Sequence, residues 1–330
     1  MGFQQSVFKK PVDMNDLGDN SNEEINLKKR RKEALEELLK RIGKENRPLN
    51  IAIIGTPGSG KSSFINTLIA SITGEWRSHA MVGCFGGLGL QKTKHIATYR
   101  KEKYLKHAKD VKHLMKFNFP AILDMSGIDD ANDRDTKMLL DLVFSGRIPE
   151  NSKISDILQN IRQNEEELNN LYPLAKSNIR VDRIIFLVSA ANPSLPENLM
   201  QAVHSSSTSR RRDIPMFGVL TKIDDPFTSE KNEYQEFISR MRTHLGILDI
   251  HLLRCTNYCD VNLEEIKDGI RNNLPEIDIS VLRGMKQILD PSITVTEYKR
   301  ATLNQVDAGG ILMLAFVILM IAIFIMLFGK

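Results

Sequence analysis

Gly55-Thr56-Pro57-Gly58-Ser59-Gly60-Lys61-Ser62 is the stretch from which the fold is read. It fits G-x-x-x-x-G-K-[ST] at every position, and it lies between an apolar segment, Leu49–Ile54, and a helical pattern over Ser62–Ile72. A strand running into a glycine-rich loop and then a helix is the context in which this pattern binds phosphate. The glycines allow backbone angles at which successive N–H groups converge on phosphate oxygens. The helix N-terminus adds partial positive charge. Lys61 is expected to reach the β- and γ-phosphates, and the Ser62 hydroxyl to ligate Mg²⁺. Gly55, Thr56, Pro57, Gly58, Ser59, Gly60, Lys61, Ser62 and Ser63 are the candidate phosphate-binding residues.

Outward from the loop, strand and helix patterns alternate. Buried-type strands are expected at Arg183–Ser189 and Met216–Leu220, with shorter ones at His95–Arg100, ending at Ala121–Leu123, and at His251–Cys255. Helices are expected at Arg134–Phe144, Ser152–Leu171 and around 196–211, 229–245 and 261–288. Such alternation implies an α/β fold with a mostly parallel sheet covered on both faces.

Three further segments sit at predicted strand ends, where ligands bind in sheets of this kind. Thr221-Lys222-Ile223-Asp224 follows Met216–Leu220. A carboxylate at Asp224 can accept hydrogen bonds from guanine N1–H and N2–H₂, a donor pair that adenine lacks on that edge, and the Lys222 stem can pack on the base. Asp124-Met125-Ser126-Gly127 reads as a D-x-x-G segment. There Asp124 would hold the Mg²⁺ shell through water and the Gly127 N–H would sense the γ-phosphate. Cys255-Thr256-Asn257 either places backbone N–H groups of Thr256 and Asn257 near guanine O6 or is an ordinary strand-end turn. The expected ligands are GTP or GDP with Mg²⁺, the metal held by Ser62 and Asp124. Lys61, Ser62, Asp124 and Gly127 are the candidate catalytic residues.

The residue after D-x-x-G is Ile128, which cannot orient an attacking water, and between Glu75 and His95 the only threonine is Thr93, within a stretch that includes Val82–Gly89 (VGCFGGLG). Binding is therefore better supported than hydrolysis. Turnover is expected to be slow or to need a partner, such as a second copy or an activator supplying an arginine. Arg210–Arg212 is one candidate for that arginine, and a solvated loop is its plainer reading.

The order GTPGSGKSSFIN, DMSG, TKID resembles the TRAFAC class of GTPases, and within it the interferon-induced protein 44 family. GSGKSSFINTL, HAMVG, RIIFLVSA and NYCDVNLEEIKDGIRNNLPEIDISVLRGMKQILD carry the likeness, over about residues 48–290. The resemblance implies a G domain with a mixed six-stranded sheet, GTP binding and an immune or stress-induced role. The chain departs from the family pattern after HAMVG, where Gly86 and Gly87 replace a threonine pair, and at its C-terminus. The immunity-associated GTPases, which often carry a C-terminal anchor, are a second resemblance, but their characteristic segment between D-x-x-G and T-K-x-D is not evident.

Ile311–Phe328 is 18 residues without a polar side chain, and Ala308–Gly329 extends the run to 22. At about 1.5 Å per residue this spans about 27–33 Å, the thickness of a hydrocarbon core. A buried core helix would have a polar edge and more sequence to cover it. A membrane span is therefore expected, single-pass, inserted after translation, with the N-terminal part in the cytosol at the endoplasmic reticulum or the outer mitochondrial membrane.

The remaining features are modest. Lys plus Arg exceed Asp plus Glu by 45 to 41, a formal charge of +4 that does not argue for nucleic acid. Cys84, Cys255 and Cys259 are too few for a disulfide framework. The N-terminal residues carry no apolar run, so a secretory signal is not expected there. Met1-Gly2-Phe3-Gln4-Gln5-Ser6 fits the loose myristoylation pattern, with the bulky Phe3 counting against it. The expected organisation is a disordered 1–20, an N-terminal helix over 21–43 opened by the capping box Ser21-x-x-Glu24, a G domain over 48–290, a linker over 291–307 and the anchor at 308–329. Lys28–Lys32 (KKRRK) reads first as a solvated helix face, then as a nuclear or anionic-lipid signal. Expected partners are guanine nucleotide, membrane lipid and a nucleotide-dependent homodimer.

Overall fold

The central strand is β1, Asn50–Ile54, whose Ile51, Ala52, Ile53 and Ile54 are all buried. A computed structural model describes residues 16–43, 46–81, 95–106, 108, 110–125, 127–163, 165–174, 177–209, 212–258 and 274–297. Within them β2 is Ala97–Tyr99, β3 Ala121–Asp124, β4 Arg183–Ser189, β5 Thr208–Ser209, β6 Arg212–Asp213, β7 Met216–Thr221, β8 Leu252–Arg254 and β9 Thr296–Glu297. The main sheet has six strands in the order β2-β3-β1-β4-β7-β8. Only β2 runs antiparallel to its neighbour; β1 pairs in parallel with β3 and β4, β4 with β7, and β7 with β8.

The helices are α1 Asp16–Ile42, α2 Lys61–Thr73, α3 Lys101–Tyr104, α4 Val111–Leu114, α5 Arg134–Phe144, α6 Ile154–Gln163, α7 Leu168–Leu171, α8 Glu197–Ser207, α9 Lys231–Leu245 and α10 Pro275–Ile288. They cover both faces of the sheet. Successive strand side chains point to opposite faces, and the cores divide accordingly. Ala52, Ile54, Ile184, Phe186 and Val188 pack with residues of α5, α6, α8 and α9. Ile51, Ile53, Ile185 and Leu187 pack with α1, α2 and α10. Each fully buried side chain of this size is worth about 1.5–3 kcal/mol, which makes β4, buried at all seven positions, the anchor of both layers.

The structure departs from expectation in five places. The N-terminal helix begins at Asp16, so Asp16–Asn20 are helical and Ser21-x-x-Glu24 lies inside the helix; extending a formed helix costs far less than starting one. The predicted helix Ser152–Leu171 is broken after Gln163 by a 3₁₀ turn, Glu165–Glu167, whose three adjacent acidic side chains include the partner of Arg134. The linker predicted from residue 291 is docked where it starts. Ile293 packs against the core, and β9 joins β5 and β6 in a small antiparallel sheet. Arg31 of KKRRK does not face solvent: it pairs with the buried Asp278 and donates to the Ser71 carbonyl at 2.9 Å. Arg212 is likewise committed, its guanidinium donating to the carbonyls of Phe144 (3.2 Å) and Val181 (2.8 Å), and so is no free arginine for catalysis.

No helix among the described residues is long and apolar enough to cross a membrane. The expected anchor at 308–329, the myristoylation pattern, Val82–Gly89, Thr93, Ser126, Arg210, Arg211, Cys84 and Cys259 lie outside the described residues.

Candidate functional site

The phosphate loop leaves β1 where Gly55 passes close beneath β4; a Cβ there would stand 2.5 Å from the Leu187 carbonyl oxygen. Gly58 and Gly60 adopt φ of 78° and 87°, the left-handed region that glycine enters without strain. Gly60 is the N-cap of α2 and gives it no side-chain cap. The helix thus begins with its donor end toward the loop, the arrangement that attracts anions. Thr56 is half-buried, Pro57 and Gly58 are exposed, and Ser62 and Ser63 are half-buried at the first turn.

Lys61 is 7% exposed and donates from Nζ to the carbonyls of Gly55 (3.0 Å) and Thr56 (2.9 Å). Burial pulls its pKa down to about 8, opposed by the Asp124 carboxylate. Asp124 ends β3 and is 1% exposed. Burial pushes its pKa up to about 7, with Lys61 acting against that rise. The two groups are both buried, and each lies within electrostatic reach of the other. Asp124 Oδ1 and Ser59 Oγ are buried with no hydrogen-bond partner in the protein. An orphaned carboxylate oxygen is costly unless something meets it. Near the phosphate-loop lysine, such an oxygen suits a hard, hydrated cation held by one or two protein oxygens and by substrate. Among the described residues, no three His, Cys, Asp or Glu side chains group as a metal cage.

The D-x-x-G segment is fastened to this loop. Ile128 donates its N–H to the Gly55 carbonyl at 3.3 Å, and Gly127 lies against Pro57. Ile128 is buried in the core beside α5, so the position expected to lack a water-orienting group is filled by packing.

On the other side of the loop, Thr221 ends β7 wholly buried, and its hydroxyl bonds the Ser59 carbonyl at 2.8 Å. Sequence reasoning placed Thr221 at the nucleotide; its side chain braces the phosphate loop. Lys222 follows in a left-handed conformation, φ 54°, and Asp224 is exposed in the turn closed by Asp225 N–H on the Lys222 carbonyl. Asn257 is buried and donates from Nδ2 to the Gly60 carbonyl at 3.5 Å, while Thr256 is half-buried. Asn257 was expected for its backbone N–H, and its side-chain brace had no signal in the sequence. Burial, with the Asp224 carboxylate adding to it, pushes the Cys255 thiol up to about 12, so the loops after β7 and β8 lie within electrostatic reach of one another. Lys61, Asp124, Thr221 and Asn257 therefore converge on one end of the sheet, at the C-terminal ends of β1, β3, β7 and β8.

This strand order and loop define an α/β fold of the P-loop type, with a mixed six-stranded sheet flanked by helices. A family model for the FtsK/SpoIIIE family matches residues 3–79, less than a quarter of the chain but including all of Gly55–Ser62. No curated protein matches the chain. Among solved structures, Toc33 from Arabidopsis thaliana matches as a dimerization-deficient mutant, at 13% identity and TM-score 0.41, covering 80% of this chain and 94% of that one. Toc33 in complex with GDP and Mg²⁺ matches at 15% identity and TM-score 0.39, covering 81% and 96%. Toc33 in complex with Mg²⁺ and GMPPNP matches at 13% identity and TM-score 0.41, covering 81% and 95%. At these scores the likeness says nothing about what this chain binds.

Proposed function

We propose that this chain is a guanine-nucleotide-binding protein that uses Mg²⁺, turns GTP over slowly or only with a partner, and is held to a membrane by residues 308–329. The observation that carries the nucleotide reading is the buried Lys61–Asp124 couple beneath a glycine loop that Thr221 and Asn257 brace from the base side. In this reading the Lys61 ammonium exchanges its two loop carbonyls for phosphate oxygens, and the amides opening α2 hold the phosphates from the other side. Ser62 and Asp124 would hold Mg²⁺, which when bound neutralises charge on the β- and γ-phosphate oxygens. The Asp224 carboxylate takes N1–H and N2–H₂ of guanine, and the Lys222 stem covers the ring. The interferon-induced protein 44 resemblance supports an immune or stress-response setting; the apolar run supports the endoplasmic reticulum or the outer mitochondrial membrane.

A second reading, a nucleotide-dependent scaffold with negligible hydrolysis, is favoured by Ile128. Its burial leaves no polar group at the position from which an attacking water would be oriented.

The test is GTP and ATP binding with phosphate release, on the full chain in detergent, across protein concentration. GTP-selective binding is expected, at least about 100-fold weaker in Lys61→Ala, which corresponds to roughly 2.7 kcal/mol. Loss of guanine preference is expected in Asp224→Ala. Turnover that rises with concentration marks a self-activating GTPase, and binding without turnover marks the scaffold. Equal binding of ATP, or tight binding by Lys61→Ala, would sink the reading.

A further inference from the structure

Asp278, on the first turn of α10, is wholly buried on the side of the sheet that carries α1 and α2. A buried carboxylate is tolerated only when its charge and its lone pairs are met. Here the partners come from three other parts of the chain. Arg31 of α1 pairs with Oδ2, while the Ser71 hydroxyl of α2 reaches Oδ1 at 2.8 Å and the Tyr258 phenol, from the loop after β8, reaches it at 3.0 Å. Arg31 ties the group further by donating to the Ser71 carbonyl at 2.9 Å. The phenol oxygen also accepts from Leu274 N–H at 2.6 Å, so the side chain of Tyr258 is held from two directions.

The other end of Tyr258 reaches the nucleotide site. Its backbone N–H donates to Thr67 Oγ1 at 2.9 Å, and the Thr67 hydroxyl donates in turn to the Ser63 carbonyl at 2.7 Å, in the turn of α2 that follows the phosphate loop. The residue before it, Asn257, touches the Gly60 carbonyl. A continuous set of contacts therefore runs from α1 through Arg31, Asp278 and Tyr258 to the segment Cys255–Asn257 and the start of α2.

The geometry points to Arg31, Asp278 and Tyr258 as positioning residues for the base side of the nucleotide site, through which the N-terminal helix sets affinity for the guanine ring. The assignment rests on the guanine-nucleotide reading above. None of the three side chains needs to touch the ligand; they would fix the backbone of Thr256 and Asn257, the segment that guanine O6 would meet in that reading.

The test uses the full chain in detergent with two probes: GDP, and 6-thio-GDP, in which a weaker acceptor replaces O6. Tyr258→Phe removes one hydroxyl and keeps the ring. It should weaken GDP by about fivefold to tenfold, the scale of one hydrogen bond, and bring the ratio of GDP to 6-thio-GDP affinity toward one. Arg31→Met should act in the same direction, and Arg31→Lys should recover most of the loss. Unchanged GDP affinity and an unchanged ratio in Tyr258→Phe and Arg31→Met, with only the thermal midpoint lowered, would overturn the assignment and leave the nucleotide reading standing. A wild-type chain that does not bind GDP would overturn both.

Discussion

Gly127 shows how a single hydrogen atom fastens two motifs together. A Cβ at this position would stand 2.4 Å from Pro57 N and 2.6 Å from Pro57 Cα, and backbone atoms cannot rotate away. Gly127→Ala must therefore push the D-x-x-G segment off the phosphate loop. Overpacking of this kind costs about 1–3 kcal/mol, read as a lowered thermal midpoint, and it should weaken GDP and a non-hydrolysable GTP analogue alike. If Gly127 served only to sense the γ-phosphate, the analogue alone would lose affinity and stability would not move. Cys255 supplies a pH-dependent counterpart. Its thiol is held up at about 12, above the ordinary value of 9.0, first by burial and then by Asp224. Because the folded value lies above the unfolded one, the neutral thiol's contribution to stability is fully present below pH 9 and is lost as pH rises through 12. In a Cys84→Ser, Cys259→Ser background, Cys255 should resist alkylation at about pH 8 until the chain unfolds. Its stability should also fall more steeply over that alkaline window than that of the matching Cys255→Ala chain. Rapid stoichiometric alkylation of the native protein would contradict the burial.

Elements announced by local signals were the legible ones, and α5 shows why. Asp133 caps it, accepting from Thr136 N–H at 2.8 Å, and the helix runs over Arg134–Phe144 as its apolar spacing predicts. The backbone and side chain of Thr136 hold the Asp133 carboxyl below the usual carboxylate range. Asp133→Ala should cost about 1 kcal/mol in urea unfolding near neutral pH. The sign is that of a depressed group: its contribution is present above the ordinary carboxylate value and lost as pH falls through the folded one, so variant and parent should converge in acid. A gap that persists unchanged in acid would mean the carboxylate is not the capping group. β4 was equally plain, since an unbroken apolar run leaves no solvent face to choose. What the sequence hid were partners remote along the chain. Arg31 and Arg212 look like ordinary surface cations, yet each is spent on a buried acid or on backbone carbonyls from another element. At the site the loops were readable as motifs. The braces from Thr221 to Ser59 and from Asn257 to Gly60 were not, because nothing in a T-K-x-D string says which carbonyl its threonine will meet.

At the scale of the whole molecule, the two ends of the sheet do different work. The phosphate loop and the other candidate site loops occupy the C-terminal ends of β1, β3, β7 and β8, while the last described residue, Glu297, lies at the other end. There β9 pairs with β6 just ahead of β7, Arg212 and Arg180 face Glu297, and Arg183, the first residue of β4, holds the carbonyls of Ile288, Asp290 and Ile293. At roughly 3.3 Å per residue, the length of β7 puts about 20 Å of rigid sheet between the two ends. If residues 308–329 enter a bilayer, the described domain is joined to them at the end of the sheet opposite the phosphate-loop end. Membrane insertion should then leave the nucleotide site untouched. The rate of fluorescent GDP release should agree within about twofold between the full chain in detergent and the same chain in liposomes, since no contact that holds the loops in place is altered. Flotation confirms insertion in the same sample. A tenfold change in release on insertion would mean that the tail and the site communicate through the sheet, and that its two ends are not independent.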